Sequence, residues 1–183
     1  MLRSIETLVT WFSRILLWLG GVCVVVLTLH VVADVFMKYA FHRPIVGTLE
    51  IVSWYYMVGI AFLPVAWVQL KRQHLMVEMF TMGMSPRSTA VLDAVVGILA
   101  LIYVAVLTFL VFEEAVVATS RNEIQDVTFF DMPVWPARWI LFAGFASMTI
   151  VIFYQVCLDF VFGLTGRGHR SYPDKTDTMN FSE

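Results

Sequence analysis

Between Arg14 and Asp34 the chain reads ILLWLGGVCVVVLTLHVVA, residues 15–33, without one charged side chain. A helix needs about 20 apolar residues, rising about 1.5 Å each, to cross roughly 30 Å of hydrocarbon. The stretch is therefore long enough to span a bilayer, and it decides the fold because its kind recurs. Glu50 and Lys71 bracket Ile51–Leu70, Asp93 and Glu113 bracket Ala94–Phe112, and Arg138 and Asp159 bracket Trp139–Leu158. Backbone groups in hydrocarbon must be satisfied within helices or closed barrels, and these runs lack the two-residue alternation of barrel strands. The expected fold is all-α: four transmembrane helices over residues 15–33, 51–70, 94–112 and 139–158, in one membrane domain covering 1–165.

Composition agrees. The 183 residues are 60% hydrophobic and 14% charged, with mean hydropathy +0.80. Soluble domains are about half apolar and about a quarter charged. A net charge of -2 gives no basic footprint for nucleic acid. Cys23 and Cys157 lie inside apolar runs with no CxxC spacing, which excludes a disulfide framework and a CxxC redox site and argues against zinc.

The ends of the runs carry interfacial markers: Trp11 and Trp18, Tyr39 and Phe41, Trp54 to Tyr56, Trp67, Trp135 and Trp139. Pro64 lies within the second run, where a missing donor predicts a bend. Ser85-Pro86 reads as an N-cap and first helical residue. Arg3, Arg14, Lys71, Arg72, Arg87, Arg167, Arg170 and Lys175 fall on one side of the membrane, against Lys38, Arg43, Arg121 and Arg138 on the other. This bias predicts that both termini are cytoplasmic. The first run is longer than a signal-peptide core and is read as a retained span. Ile5, Leu8, Val9 and Phe12 are spaced for an interfacial helix or an extension of the first span. His74–Phe80 suits another interfacial turn, and the polar stretch 166–183 is expected to be a disordered cytoplasmic tail.

The middles of the spans are nearly bare of polar groups, Tyr103, Ser147 and Thr149 excepted. A transporter acting alone would need polar groups or broken helices there. A haem anchor would need two facing histidines from different helices, and only His30 lies within a span. His30 and Asp34, four residues apart, are expected to pair, as are Asp34 and Lys38. Asp34, Lys38, Arg43, Thr48 and Glu50 form a polar cluster in the first outer connection, fixing the turn, contacting a partner, or both. Glu50 suits the dipole at the start of the second helix, and Arg43 can bind it or a partner's acid. Gly20 and Gly21, Ala90 with Ala94 and Gly97, and Ala143 with Ser147 supply small-residue faces for helix packing.

These motifs resemble a family. Asp34-Val-Phe-Met-Lys38-Tyr39, Phe41-His42-Arg43-Pro44 and Gly47-Thr48-Leu49-Glu50 are followed by Arg72-Gln73-His74-Leu75-Met76-Val77-Glu78, Pro86 and Pro133-Val134-Trp135-Pro136. Their order, from about Ile5 to Phe162, is similar to that of the DctQ-like small membrane subunit of tripartite ATP-independent periplasmic (TRAP) transporters. The family often has arginine where this chain has Lys38, glycine where it has Gln73, and aspartate where it has Glu78. The resemblance implies a bacterial inner-membrane scaffold beside a large multi-span permease subunit, which moves an organic anion inward with sodium. A periplasmic substrate-binding protein delivers that anion. It also implies that sodium and substrate sites belong to the large subunit, leaving no cofactor or catalysis here. Arg72 and His74 then become candidate inner-face contacts. A haem or quinone anchor of a respiratory enzyme and a self-sufficient small transporter are the alternative readings.

Overall fold

The charges that bracket each apolar run do not end the helix containing it. In the computed structural model, which describes residues 2–71, 86–127 and 130–165, helix α1 (Leu2–Phe41) runs unbroken past Arg14 and Asp34. The extension alternative for the N-terminal segment is the one adopted. Charge ends the part of a helix that hydrocarbon tolerates, while the backbone still satisfies itself best by continuing into the interface.

The second span is broken into pieces: α2 (Thr48–Ile51), a π-helical turn at Val52–Tyr56, α3 (Met57–Phe62) and α4 (Val65–Leu70). The break between α3 and α4 falls at Pro64, which has no N–H to continue the ladder. Its carbonyl instead accepts from Trp67 and Val68 at 3.0 and 3.1 Å, restarting the helix. Helices α5 (Pro86–Ser120) and α6 (Trp135–Thr165) complete the set. Glu113, which brackets the third apolar run, and its neighbour Glu114 lie on α5 as exposed side chains.

Glu6–Phe41, Thr48–Leu70, Ala94–Ser120 and Trp135–Val161 are four helical stretches long and apolar enough to cross a membrane. The shortest has 23 residues. At the helical rise this amounts to about 35 Å, still enough for the hydrocarbon core.

The helices form an open row. α1 packs on α3 and α4, these pack on α6, and α6 packs on α5, so the spatial order differs from the chain order. Missing side chains allow the close approaches. A Cβ on Gly20 would lie 2.7 Å from Pro64 Cγ, and one on Gly59 2.9 Å from Cys23 Sγ. One on Gly144 would lie 2.6 Å from the Phe62 carbonyl oxygen, and one on Gly97 2.7 Å from Val156 Cγ2. Close backbone approach is how membrane helices gain packing energy when lipid is as apolar as the partner. Val9, Leu16, Leu63, Ala66 and Val151 form the buried apolar cluster where α1, the second span and α6 meet.

The connection after α5 departs from the all-α expectation. β1 (Ile124–Val127) and β2 (Phe130–Pro133) pair antiparallel, with Ile124 opposite Pro133 and Val127 opposite Phe130. Val127 and Met132 turn inward while the other strand residues remain exposed. The hairpin lies beyond the apolar stretches, where open strand edges can be solvated.

Candidate functional site

The polar residues of the connection between the first two spans gather at the end of the row that carries the hairpin. His42, with φ 56, breaks α1, and the Arg43 N–H turns back to the Met37 carbonyl at 3.3 Å. The Ile45 N–H donates to Asp34 Oδ1 at 2.6 Å, so a carboxylate on α1 holds the connection. Thr48 Oγ1 donates to the Ile45 carbonyl at 3.0 Å. Gly47 then takes φ 83 at the start of α2, a conformation costly for a residue with a Cβ. The Phe130 ring lies over it: a Cβ there would be 2.5 Å from the ring carbons. Tyr55 Oη donates to the Pro133 carbonyl, fastening the hairpin to the second span from the π-turn.

The hairpin end is braced further toward α6. Glu123 accepts from Arg138 at 3.2 Å, Trp139 Nε1 donates to Thr119 Oγ1 at 2.9 Å, and Phe112, Trp139 and Phe142 meet with ring centroids 5.2–6.1 Å apart. Beside this braced end, Lys38, Tyr39, His42 and Pro44 line a shallow cleft of about 420 Å³. Lys38, His42 and Arg43 are all exposed there.

Two expected pairings, Asp34 with His30 and with Lys38, do not form, and of the two alternatives for Arg43 the pair with Glu50 is not the one adopted within the chain. Asp34 bonds the Ile45 amide rather than Lys38 or His30, because the turn brings an otherwise orphaned N–H to it. His30 Nδ1 lies instead 3.3 Å from the Tyr56 hydroxyl, with the two rings edge to face at 5.8 Å. Arg43 and Glu50 make no ion pair; among the described residues the pair is Arg138 with Glu123. Glu50 does occupy the first turn of α2.

The small residues divide. Gly20, Gly97, Ala94 and Ser147 face neighbouring helices, Ala143 is half-buried, and Ala90 lies on α5. Nothing lies within 4 Å of a Cβ on Gly21, which faces away from the row. Gly59 and Gly144, which make equally close approaches, were not singled out by the sequence reading, although Gly144 adjoins the Ala143/Ser147 pair. Arg72, His74 and the stretches 74–80 and 166–183 lie outside the described residues.

At mid-depth the serine and threonine hydroxyls bond within the chain itself. The Thr108 and Thr149 hydroxyls meet at 2.8 Å between α5 and α6, and each lies within bonding distance of a carbonyl on its own helix. Ser147 Oγ donates to the Gly144 carbonyl at 2.7 Å, while Tyr103 points outward. Nearer the terminal end, Gln69 Nε2 donates to Gln155 Oε1 at 3.0 Å, and Gln155 Nε2 donates to the Gln69 carbonyl at 3.0 Å. No group of three or more His, Cys, Asp and Glu side chains suited to a metal converges among the described residues.

Four apolar helices joined through glycine contacts, with the mid-depth serine and threonine hydroxyls bonded within the chain, define a multi-pass membrane protein. The model of the family described as Tripartite ATP-independent periplasmic transporters, DctQ component, matches residues 27–162, and the chain belongs to that family. It is thus a transport protein of the inner membrane. Comparison with curated proteins and with solved structures found no match.

Proposed function

We propose that this chain is the small membrane subunit of a sodium-coupled, binding-protein-dependent uptake system for an organic anion. Its work is mechanical: it anchors and widens the scaffold of a large multi-span permease subunit, which holds sodium and substrate. Both termini are cytoplasmic, following the distribution of Lys and Arg, which leaves the hairpin end in the periplasm. There the exposed Lys38, His42 and Arg43 are available to a partner's acidic groups.

The observation that carries this reading is the state of the mid-depth polar groups. Thr108, Thr149 and Ser147 bond within the chain, and Tyr103 faces outward, so among the described residues these groups do not line a substrate path of the chain's own. The haem-anchor alternative gains no support from His30, whose ring meets Tyr56. Meanwhile the outward sides of α1 and α5 stay uncovered within the chain, and Gly21 offers a backbone open to close approach.

The test is co-expression with a candidate large subunit, mild-detergent pull-down and uptake in reconstituted vesicles. The two chains should co-purify, and uptake should require both. This chain alone should give none. Undiminished uptake by the large subunit alone would overturn the scaffold reading. Arg43→Glu should impair assembly or uptake more than Arg121→Glu, and equal tolerance of both would reduce Arg43 to a surface charge.

A further inference from the structure

At the terminal end of the row, two cations from different helices converge on one indole. The Arg14 guanidinium, on α1, lies 5.6 Å from the Trp67 ring centroid, and Lys71 Nζ, at the end of α4, lies 5.1 Å from it. One cation on an indole face is an ordinary attraction. Two on the same ring repel each other, and among the described residues neither has a carboxylate partner. The end of α4 adds roughly half a negative charge from its carbonyls, too little to neutralise two full positive ones. The pair therefore carries positive charge at the ends of the apolar runs 15–33 and 51–70, where a span meets the membrane surface. Arg14 and Lys71 are exposed and Trp67 half-buried, so an anion can reach the cations.

The surroundings say which anion. Trp18, Val22 and Val25 follow Arg14 along one side of α1 at helical spacing, toward the bilayer centre, and are 71%, 54% and 58% exposed. Charge at the interface with an uncovered apolar track leading inward matches a molecule with a phosphate head and acyl chains. A free phosphate would use only the upper half of that arrangement. Basic residues between spans at the membrane surface commonly take anionic headgroups.

We propose that Arg14, Trp67 and Lys71 form a headgroup site for an anionic phospholipid, its phosphodiester accepting from both cations and its acyl chains lying along Trp18, Val22 and Val25. The lipid spans the junction of α1 and α4, which Gly20 and Pro64 bring together from within.

The test uses the full chain in nanodiscs of phosphatidylcholine with increasing phosphatidylglycerol, the retained lipids being counted by native mass spectrometry after mild extraction. Wild-type protein should retain phosphatidylglycerol preferentially. Arg14→Gln or Lys71→Gln should each weaken that preference roughly fivefold, and the double variant about thirtyfold. Lys38→Gln with Arg43→Gln, at the opposite end, should leave it unchanged. Equal retention by the double variant overturns the proposal. So does binding of inorganic phosphate that makes phosphatidylglycerol irrelevant, which would assign the site to a soluble anion. Should the double variant fail to fold, quenching by bromine-labelled phosphatidylglycerol and phosphatidylcholine decides. The extra quenching by the anionic lipid should fall in each single variant, Arg14→Gln and Lys71→Gln, and its persistence at the wild-type level in both overturns the proposal.

Discussion

The two helices at the edges of the row differ from the two in its middle. The most apolar stretches of α1 and α5 have mean hydropathy 2.5 and 2.9, with 11% and 6% of their residues buried. Those of the second span and α6 have 1.7 and 2.0, with 17% and 33% buried. In water the more buried helix would be the more apolar one. Here the order is reversed, because lipid rewards apolar surface while the interior can satisfy polar groups. The backbone breaks in the second span, while α6, the other middle helix, is continuous. The second span tolerates a π-turn and a proline because neighbours on both sides hold it, with Tyr56 bonded toward α1 and Tyr55 toward the hairpin. The edge helices are continuous and contain no such break.

Substitutions can break or sharpen that contrast. Gly144→Val should have the largest effect, since its new atoms meet the Phe62 backbone, which cannot yield as a side chain could. A loss of about 3 kcal/mol is expected from such overpacking, read as a fall in thermal unfolding temperature in detergent. Gln155→Leu should cost about 1–3 kcal/mol by removing its hydrogen bonds with the Gln69 amide and with the carbonyl of Gln69, measurable by the same unfolding. Asp34→Ala should cost about 1 kcal/mol, felt locally as faster hydrogen exchange at the Ile45 amide. Gly21→Ala should be neutral or stabilising by up to about 1 kcal/mol, because a helical glycine gives way where nothing is in the way. If Gly21→Ala lowered stability as much as Gly144→Val, the distinction between edge and middle would not hold.

The apolar runs were legible because lipid imposes a simple rule on uninterrupted residues, and Pro64 was legible because its missing N–H acts locally. The extent of the helices was less so: Arg14, Asp34, Glu113 and Glu114 end hydrocarbon compatibility, a property of side chains, while helix continuation is a property of the backbone. The hairpin escaped notice because two short strands between acidic residues bury only Val127 and Met132, too few for a pattern. At the polar turn the residue types were readable and their partners were not. Asp34 was set against neighbours on its own helix, whereas its bond goes to the amide of Ile45, brought close only by the left-handed His42. Which glycines matter was equally hidden. Gly20 and Gly21 are adjacent, and a rotation of about 100° separates a locked contact from open lipid.

The order of the row also has a consequence for biosynthesis. The chain emerges N-terminus first, so α1 and the second span can associate early, whereas α5 leaves the translocation machinery before the helix on which it packs exists. It must reside for a time as a solitary span, and its mean hydropathy of 2.9, the highest of the four, lets it do so without help. Helix α6 arrives last and joins the two waiting parts, bringing the Gln155 amide to α4 and the Thr149 hydroxyl to α5. Its polar groups thus meet their partners at the moment the assembly closes.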